Sequence, residues 1–300
     1  MTFSAFIDTI GNIVNLITGN YMSIYYFSDI HLENYPADFD QVGVATKVLK
    51  KMLSFFNVNL FSKSDYLILA GDICELRDVG KYELFFKHLS SVFSNVIYLP
   101  GNHEYYRTTM MCDIRVNKWK EKLLEFGVTF VDNDVFETDD LVIIASTLWG
   151  RGNGGHHTED IYRLGLNDFK YIKVLNRGIY RKFWLRDYKC LSAENSLFIK
   201  SKLAEYCDSN KIVVVATHHS PSFLLEDSTI INFNEYIHSD FLDVVDFNSG
   251  LIKRPDLWVH GHIHEPVDYM VNGVPVKSNP IERYNWLMTN YHCLYSLFAL

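Results

Sequence analysis

Five short apolar runs punctuate the chain: Ile24 to Phe27, Tyr66 to Ala70, Val96 to Leu99, Ile212 to Ala216 and Leu257 to Val259. Each is rich in β-branched and aromatic residues and closes in turn formers, the pattern of buried strands. Elsewhere the apolar spacing becomes helical. About Gln41 to Phe56, Val44, Val48, Leu49 and Met52 fall on one face, and further helices are predicted over about Tyr82–Phe93, Ile114–Phe126 and Ala193–Cys207. Additional strands are predicted near Thr129–Val131 and Leu141–Ala145. Val267–Val271 and Val274–Lys277 flank Asn272-Gly273, a good hairpin signal. Early βα units followed by hairpins fit an α/β protein of two packed sheets with helices outside.

The polar residues that close the five runs carry the chemistry. They are Asp29-Ile30-His31, Gly71-Asp72-Ile73-Cys74-Glu75, Gly101-Asn102-His103-Glu104, Thr217-His218-His219 and Gly261-His262-Ile263-His264. Taken singly, each reads as an ordinary turn or a satisfied histidine; five in a fixed order, each after a strand, read as one site. Loops at strand ends are where an α/β scaffold presents its functional groups. Residues two apart in an extended segment point the same way, so Asp29 and His31 are expected to reach one cation, and His262 and His264 repeat that spacing. Gly71 lets the backbone turn sharply into Asp72. A nitrogen and oxygen donor set without thiolate suits Mn, Fe, Zn, Co or Ni rather than a soft metal, and imidazole argues against Mg or Ca.

Composition narrows the setting. The chain has 300 residues, 48% of them hydrophobic, and a net charge of −8, which disfavours non-specific nucleic-acid binding by charge alone. Cys74, Cys112, Cys190, Cys207 and Cys293 contain no C-x-x-C and read as free thiols in a reducing cytoplasm. No run approaches the roughly 18 apolar residues of a membrane span. Residues 1–21 form an extension in which Phe3, Phe6, Ile7, Ile10, Ile13, Val14 and Ile17 recur at helical spacing without Lys or Arg. A docking helix for the domain or for a protein partner is the expected reading, with Met22 as an alternative start. Residues 22–300 are read as one domain.

The individual part of that domain is an insertion near 150–190. It opens with a glycine-rich loop ending in His156-His157, which lacks the Gly-Lys-Ser/Thr of a phosphate-binding P-loop. Seven basic residues follow (Lys170, Lys173, Arg177, Arg181, Lys182, Arg186 and Lys189), opposed only by Asp168 and Asp187 and interleaved with Tyr171, Tyr180, Phe183, Trp184 and Tyr188. The plain expectation is a solvated, partly packed cap. The sharper one is a lid that attracts a polyanionic substrate by charge and stacking, with Arg177, His156 and His157 as candidate contacts.

The ordered pattern D-x-H, G-D-x-x-[DE], G-N-H-[DE], H, G-H-x-H resembles the calcineurin-like metallophosphoesterases, and it spans residues 29 to 264. Ser146-Thr147-Leu148-Trp149, Leu166-Asn167-Asp168-Phe169 and His260 to Pro266 are similar to a bacterial and phage-type branch of that family with no assigned substrate. The resemblance implies a four-layer α/β/β/α sandwich. It implies Asp29, His31 and His264 on one metal, Asn102, His218 and His262 on a second, and Asp72 bridging them. His218 is favoured over His219 because the first histidine after the strand is the ligand in similar proteins, which leaves His219 to face substrate or solvent. His103 is then the acid near the leaving group, oriented by Glu75 or by backbone. The tail departs from the pattern: Asn279-Pro280-Ile281-Glu282-Arg283-Tyr284 stands where similar proteins carry Asn-Pro-Arg-Gly-Tyr.

The function expected is hydrolysis of a phosphodiester or phosphomonoester, with a nucleotide or nucleic-acid substrate favoured by the cap. A pair of divalent ions, Mn²⁺ before Fe, Zn, Ni or Co, suits in-line attack at phosphorus by a bridging hydroxide. Histidine suits proton donation to the leaving oxygen. A protein phosphatase fits less well, because similar phosphatases carry Asp-Arg-Gly where this chain has Glu75-Leu76-Arg77. The alternative from another class is a non-catalytic, metal-binding interaction module.

Overall fold

Parallel strand pairing dominates the computed structural model, which describes residues 23–62, 65–110, 113–151, 166–176, 178–223 and 238–281. The N-terminal extension, His156, His157, Arg177 and Glu282-Arg283-Tyr284 lie outside the described residues. In chain order the principal elements are β1 (Ile24–Phe27), α1 (Gln41–Phe55), β2 (Tyr66–Ala70), α2 (Glu83–Val92), β3 (Asn95–Leu99), β4 (Thr109–Met110), α3 (Asp113–Glu125), β5 (Val128–Phe130), β6 (Asp134–Glu137) and β7 (Leu141–Ser146). Then come β8 (Lys173–Asn176), β9 (Ile179–Lys182), α4 (Leu185–Glu205), β10 (Ile212–Thr217), β11 (Leu257–His260), β12 (Val267–Val271) and β13 (Val274–Ser278).

One sheet is wholly parallel, in the order β1-β2-β3-β5. The other runs β12-β13-β11-β10-β7-β6 and is mixed, with antiparallel pairs at both edges. The central strands are apolar on both faces because both faces are covered. Alternation within β2 assigns them: Leu67 and Leu69 enter a core shared with Val44, Val48, Phe85, Phe86 and Leu123 of the helices. Ile68 and Ala70 enter a core between the sheets with Ile97, Ile143, Val214 and Val259. A third core lies on the far side of the second sheet, where Val213 and Val215 meet Ile199 and Leu203 of α4. Three cores separate four layers, α/β/β/α, as the resemblance implies.

Local sequence sets the helix limits. The Asp40 carboxylate accepts from the Gly43 backbone N–H at 2.9 Å and caps α1. Helix α4 begins eight residues before the predicted Ala193 start, at Leu185. The Asp187 carboxylate accepts from the Trp184 N–H at 2.9 Å, and the Asp187 N–H donates to the Trp184 carbonyl at 2.9 Å, which starts the helix inside the basic run.

The cap is a small unit of its own kind. β4, β8 and β9 form a three-stranded sheet, and Tyr105, Tyr106, Trp149, Phe169, Ile172, Val174, Phe183 and Tyr188 fill a fourth core beneath it. Phe183 and Tyr188 are therefore packing residues, not stacking platforms. Arg181 is bound to Asp187 by two hydrogen bonds of 2.5 and 2.7 Å, and its guanidinium and that of Arg186 lie over the Trp184 ring. Lys170, Lys173, Lys182 and Lys189 remain exposed.

Ile68 is fully buried between the sheets. Its replacement, Ile68→Ala, is expected to cost about 2–5 kcal/mol, read as a lower urea midpoint with an unchanged slope.

Candidate metal centre

All five motif loops leave the carboxyl ends of strands: β1, β2 and β3 of the parallel sheet, and β10 and β11 of the mixed one. The two sheets thus meet at one rim, where backbone bonds tie neighbouring loops of each sheet to one another. Asp29 N–H donates to Gly71 O (3.1 Å), His31 N–H to Asp72 O (3.0 Å) and Gly261 N–H to His218 O (2.9 Å). Between sheets, His262 N–H donates to both Asp29 carboxylate oxygens at 3.0–3.2 Å.

The convergence of side chains does not come from extended backbone, contrary to the expectation from strand periodicity. Asp29, His31, Asp72, His262 and His264 all have positive φ, between 50° and 70°. Five of the ten non-glycine residues with positive φ among the described residues are therefore candidate ligands. Left-handed turns after the strands, rather than two-residue alternation within them, aim these side chains at the rim. Such conformations cost of order 1–3 kcal/mol each and persist where the surroundings over-determine them. Glycines make the room. A Cβ on Gly71, itself at φ +84°, would lie 2.4 Å from His218 Nδ1, and one on Gly101 would lie 2.2 Å from Asp72 Oδ1.

The side chains gather into two donor sets joined by Asp72. In the first, Asp29, His31 and His264 bring ligand atoms within 4.8 Å of one another; His31 Nε2 is 3.3 Å from His264 Nε2, and His264 Nε2 is 3.5 Å from Asp29 Oδ1. In the second, His218 Nε2 lies 3.2 Å from Asn102 Oδ1, 3.2 Å from His262 Nδ1 and 3.3 Å from Asp72 Oδ1. Asp72 turns its other oxygen, Oδ2, toward His31 Nε2 at 3.7 Å. The seven residues predicted as ligands are brought together, in the two predicted groups.

Hydrogen bonds fix which atoms face inward. His218 Nδ1–H donates to Ala70 O at 2.9 Å, so Nε2 points at the second set. Asn102 spends its NH₂ on Asp168 Oδ1 (2.8 Å) and the Tyr106 hydroxyl (3.3 Å), and Tyr106 donates to the same Asp168 oxygen at 2.7 Å. The Asn102 carbonyl oxygen is left facing His218. His31 Nδ1 is 3.1 Å from Glu33 Oε1, which aims its Nε2 inward too. Imidazole nitrogens, carboxylate oxygens and an amide oxygen converge on both sets, and this donor chemistry fits a pair of borderline divalent cations.

The electrostatics agree. Burial alone would push Asp72 up, but the imidazoles of His218, His103 and His31 hold it well below the carboxylate range. Burial would lower His218, yet Asp72 and then Asp29 raise it to about 10, so the site draws in positive charge. His103 is likewise raised to about 9 against its own desolvation by Asp72 and Glu33. Glu33 falls to about 2 despite burial because both imidazoles hydrogen-bond to it.

Two expectations are corrected. Glu75 does not orient His103; its carboxylate is bound by Arg77 (Nε–Oε2 2.8 Å) and by Arg107. Glu33 holds His103 instead, Nδ1 to Oε1 at 2.9 Å. His219 faces neither solvent nor an open site. It is fully buried, lies 3.3 Å from the Thr147 carbonyl through Nδ1, and packs on Trp149 and on His262 with ring centres 5.2 and 4.1 Å apart.

Sequence reasoning also passed over three supporting carboxylates. Glu33 follows His31 by two residues. Glu104 completes the Gly101-Asn102-His103 motif and is wholly buried. It accepts from the backbone N–H groups of Asp72, Ile73, Cys74 and Gly101 and from the Tyr98 hydroxyl at 2.5–3.3 Å. Desolvation and the neighbouring Asp72 raise it to about 7. Asp168, in the cap, is raised to about 6 by burial, with its bonds from Tyr106 and Asn102 opposing. The signals were adjacency to ligand motifs and an acidic residue in an otherwise basic segment.

With this geometry in hand, comparison with known proteins is decisive on one point. The family description "Calcineurin-like phosphoesterase" matches residues 22–266. The chain belongs to that family. A relative, the uncharacterized protein L509 of Acanthamoeba polyphaga mimivirus, is 27% identical over 232 residues, covering 72% of this chain and 78% of its own. The phosphopantetheinyl hydrolase of Mycobacterium tuberculosis shares the calcineurin-like fold with a TM-score of 0.63 at 18% identity, over 91% of this chain and 94% of that one. Among the described residues of this phosphoesterase-family chain, no helix is long and apolar enough to cross a membrane.

Removing the cap's grip on Asn102 frees its amide to rotate. Asp168→Ala is expected to weaken Mn²⁺ binding at the second donor set by about 10–100-fold while sparing the first. Titration calorimetry of the variant beside the parent protein should show weakened Mn²⁺ binding at one site and unchanged binding at the other.

Proposed function

We propose that the protein is a two-metal phosphoesterase that hydrolyses a phosphodiester or phosphomonoester. The observation that carries this reading is the disposition of Asp72, with one oxygen toward each of two donor sets. Asp29, His31 and His264 would hold one cation and Asn102, His218 and His262 the other, with Asp72 available to both. When bound, such a pair, Mn²⁺ in the first instance and Fe, Zn, Ni or Co by the same donor chemistry, supplies Lewis-acid polarisation of a phosphoryl group and acidifies water to a pKa near 7.

The remaining work falls to the chain. His103 is the proton donor. Its ring is about a quarter exposed, with Nε2 3.9 Å from Asp72 Oδ2, at the open side of the donor sets. It stacks on Tyr106 with ring centres 4.2 Å apart, and its backbone N–H is fixed to Asp72 Oδ1 at 3.0 Å. A donor held there protonates the leaving oxygen as the bond to phosphorus breaks. Neighbouring His219 supports His262 from behind.

A nucleotide-containing substrate is favoured by the exposed Lys170, Lys173, Lys182 and Lys189 of the cap, with Tyr180 exposed beside them. Free Cys74, Cys190 and Cys207 accord with action in a reducing cytoplasm. We read residues 22–300 as one domain bearing this cap. The competing reading, a non-catalytic binding module, would need neither His103 nor its placement.

Bis(p-nitrophenyl) phosphate and p-nitrophenyl phosphate distinguish these readings. Mn²⁺-dependent, EDTA-sensitive cleavage of at least one ester is expected, diester cleavage pointing to a phosphodiesterase and monoester cleavage to a phosphatase. Asp72→Asn should lose both metal and turnover. His103→Asn should keep its metal and lose turnover by about 10²–10⁴-fold on the less reactive ester. An Asp72→Asn protein that remained fully active would sink the two-metal reading.

A further inference from the structure

We propose that Glu33 is the residue that positions His103 for proton transfer, and that it couples this proton donor to the first donor set; the inference rests on the phosphoesterase reading above. A single carboxylate oxygen, Glu33 Oε1, accepts from His103 Nδ1 at 2.9 Å and from His31 Nδ1 at 3.1 Å. The two rings meet edge to face with centres 4.4 Å apart. Accepting at Nδ1 sets the tautomer of both imidazoles, so that the Nε2 atom of each turns toward Asp72. The His103 ring is then fixed by Glu33 at Nδ1, by Tyr106 on its face and by Asp72 at its backbone.

Among the described residues, no other carboxylate lies within hydrogen-bonding distance of His103 Nδ1. Glu75 is bound by Arg77 and Arg107, and Glu104 is committed to the backbone of two loops and to Tyr98. Glu33 reaches His103 because His31 is left-handed, at φ 50° and ψ 61°, and the chain turns at once into the helical turn Leu32–Asn34. That turn brings a side chain two residues past a ligand back beneath it.

The step balances simply. As the P–O bond breaks, its electron pair stays on the leaving oxygen, which takes the Nε2 proton of His103. The ring is left neutral and still donates Nδ1–H to Glu33, which gains no proton. Glu33 is a positioning residue, acting through His103.

Such a role has a leaving-group signature that a structural role lacks. A p-nitrophenolate departs with little help, whereas phenolate needs its proton. The experiment compares p-nitrophenyl and phenyl esters of the class cleaved by the full-length parent, at saturating Mn²⁺ with bound Mn²⁺ counted. Glu33→Ala should lose at least about tenfold more kcat on the phenyl ester than on the p-nitrophenyl ester. Glu33→Gln, which keeps the side-chain shape, should give a smaller loss of the same character, and so serves even where the alanine variant does not fold. The Glu33→Ala/His103→Asn double variant should be no slower than His103→Asn alone. Equal losses on both esters, losses that follow bound Mn²⁺, or additive losses in the double variant would overturn the role of Glu33 with the phosphoesterase reading intact. A parent protein inactive on both esters with Mn²⁺, Zn²⁺, Co²⁺ or Ni²⁺ would overturn the two together.

Discussion

A buried carboxylate, Asp72, lies among four imidazoles and an amide oxygen, and the rest of the fold is arranged to keep those groups from escaping one another. Lone pairs at 3.2–3.3 Å repel unless a proton or a metal lies between them. The protein enforces the approach with backbone. Asp29, His31, Asp72, His262 and His264 occupy left-handed conformations, and Gly71 and Gly101 omit side chains that would collide with His218 and Asp72. Interactions elsewhere must offset that strain, and bound cations would relieve the repulsion.

The offset comes from two sources. One is the pair of sheets, whose inter-sheet core brings the carboxyl ends of β2, β3, β10 and β11 to a common rim. The other is Glu104, which gathers four backbone N–H groups from two loops onto one carboxylate. These donors would otherwise be buried without partners, a cost of about 1–3 kcal/mol each. Glu104 therefore stabilises the loops that present Asp72, Asn102 and His103 without pointing into the site itself.

The cap does more than cover. Asp168 reaches from its single helical turn to Asn102, so the cap's packing core and one donor set share a hydrogen-bond chain through Tyr106. Much of the aromatic content that suggests base stacking is spent on that core, as Phe183 and Tyr188 are fully buried. Charge, not stacking, is what the cap chiefly offers outward. Four exposed lysines on a chain of net charge −8 make a local cationic surface, which matters most within about a Debye length of the site.

The sequence by itself determined the elements and the inventory of candidate ligands. Continuous apolar runs closed by Gly, Asp, Asn and His can only be strands covered on both faces with their polar ends at a rim, and the helical stretches match to within a few residues except at the start of α4. Short strands were less legible. β6 has polar ends at a sheet edge, and β8 and β9 are masked by their lysines, although Val174 between exposed Lys173 and half-buried Leu175 keeps a period of two. Only the tertiary structure decided how the ligands converge, because a left-handed turn is a property of packing and not of the Asp-x-His spacing. It alone exchanged Glu75 for Glu33 beside His103, and turned His219 inward against Trp149. Sequence spacing fixes which residues leave a strand together; which carboxylate reaches a given imidazole depends on where two loops from different strands are brought to rest.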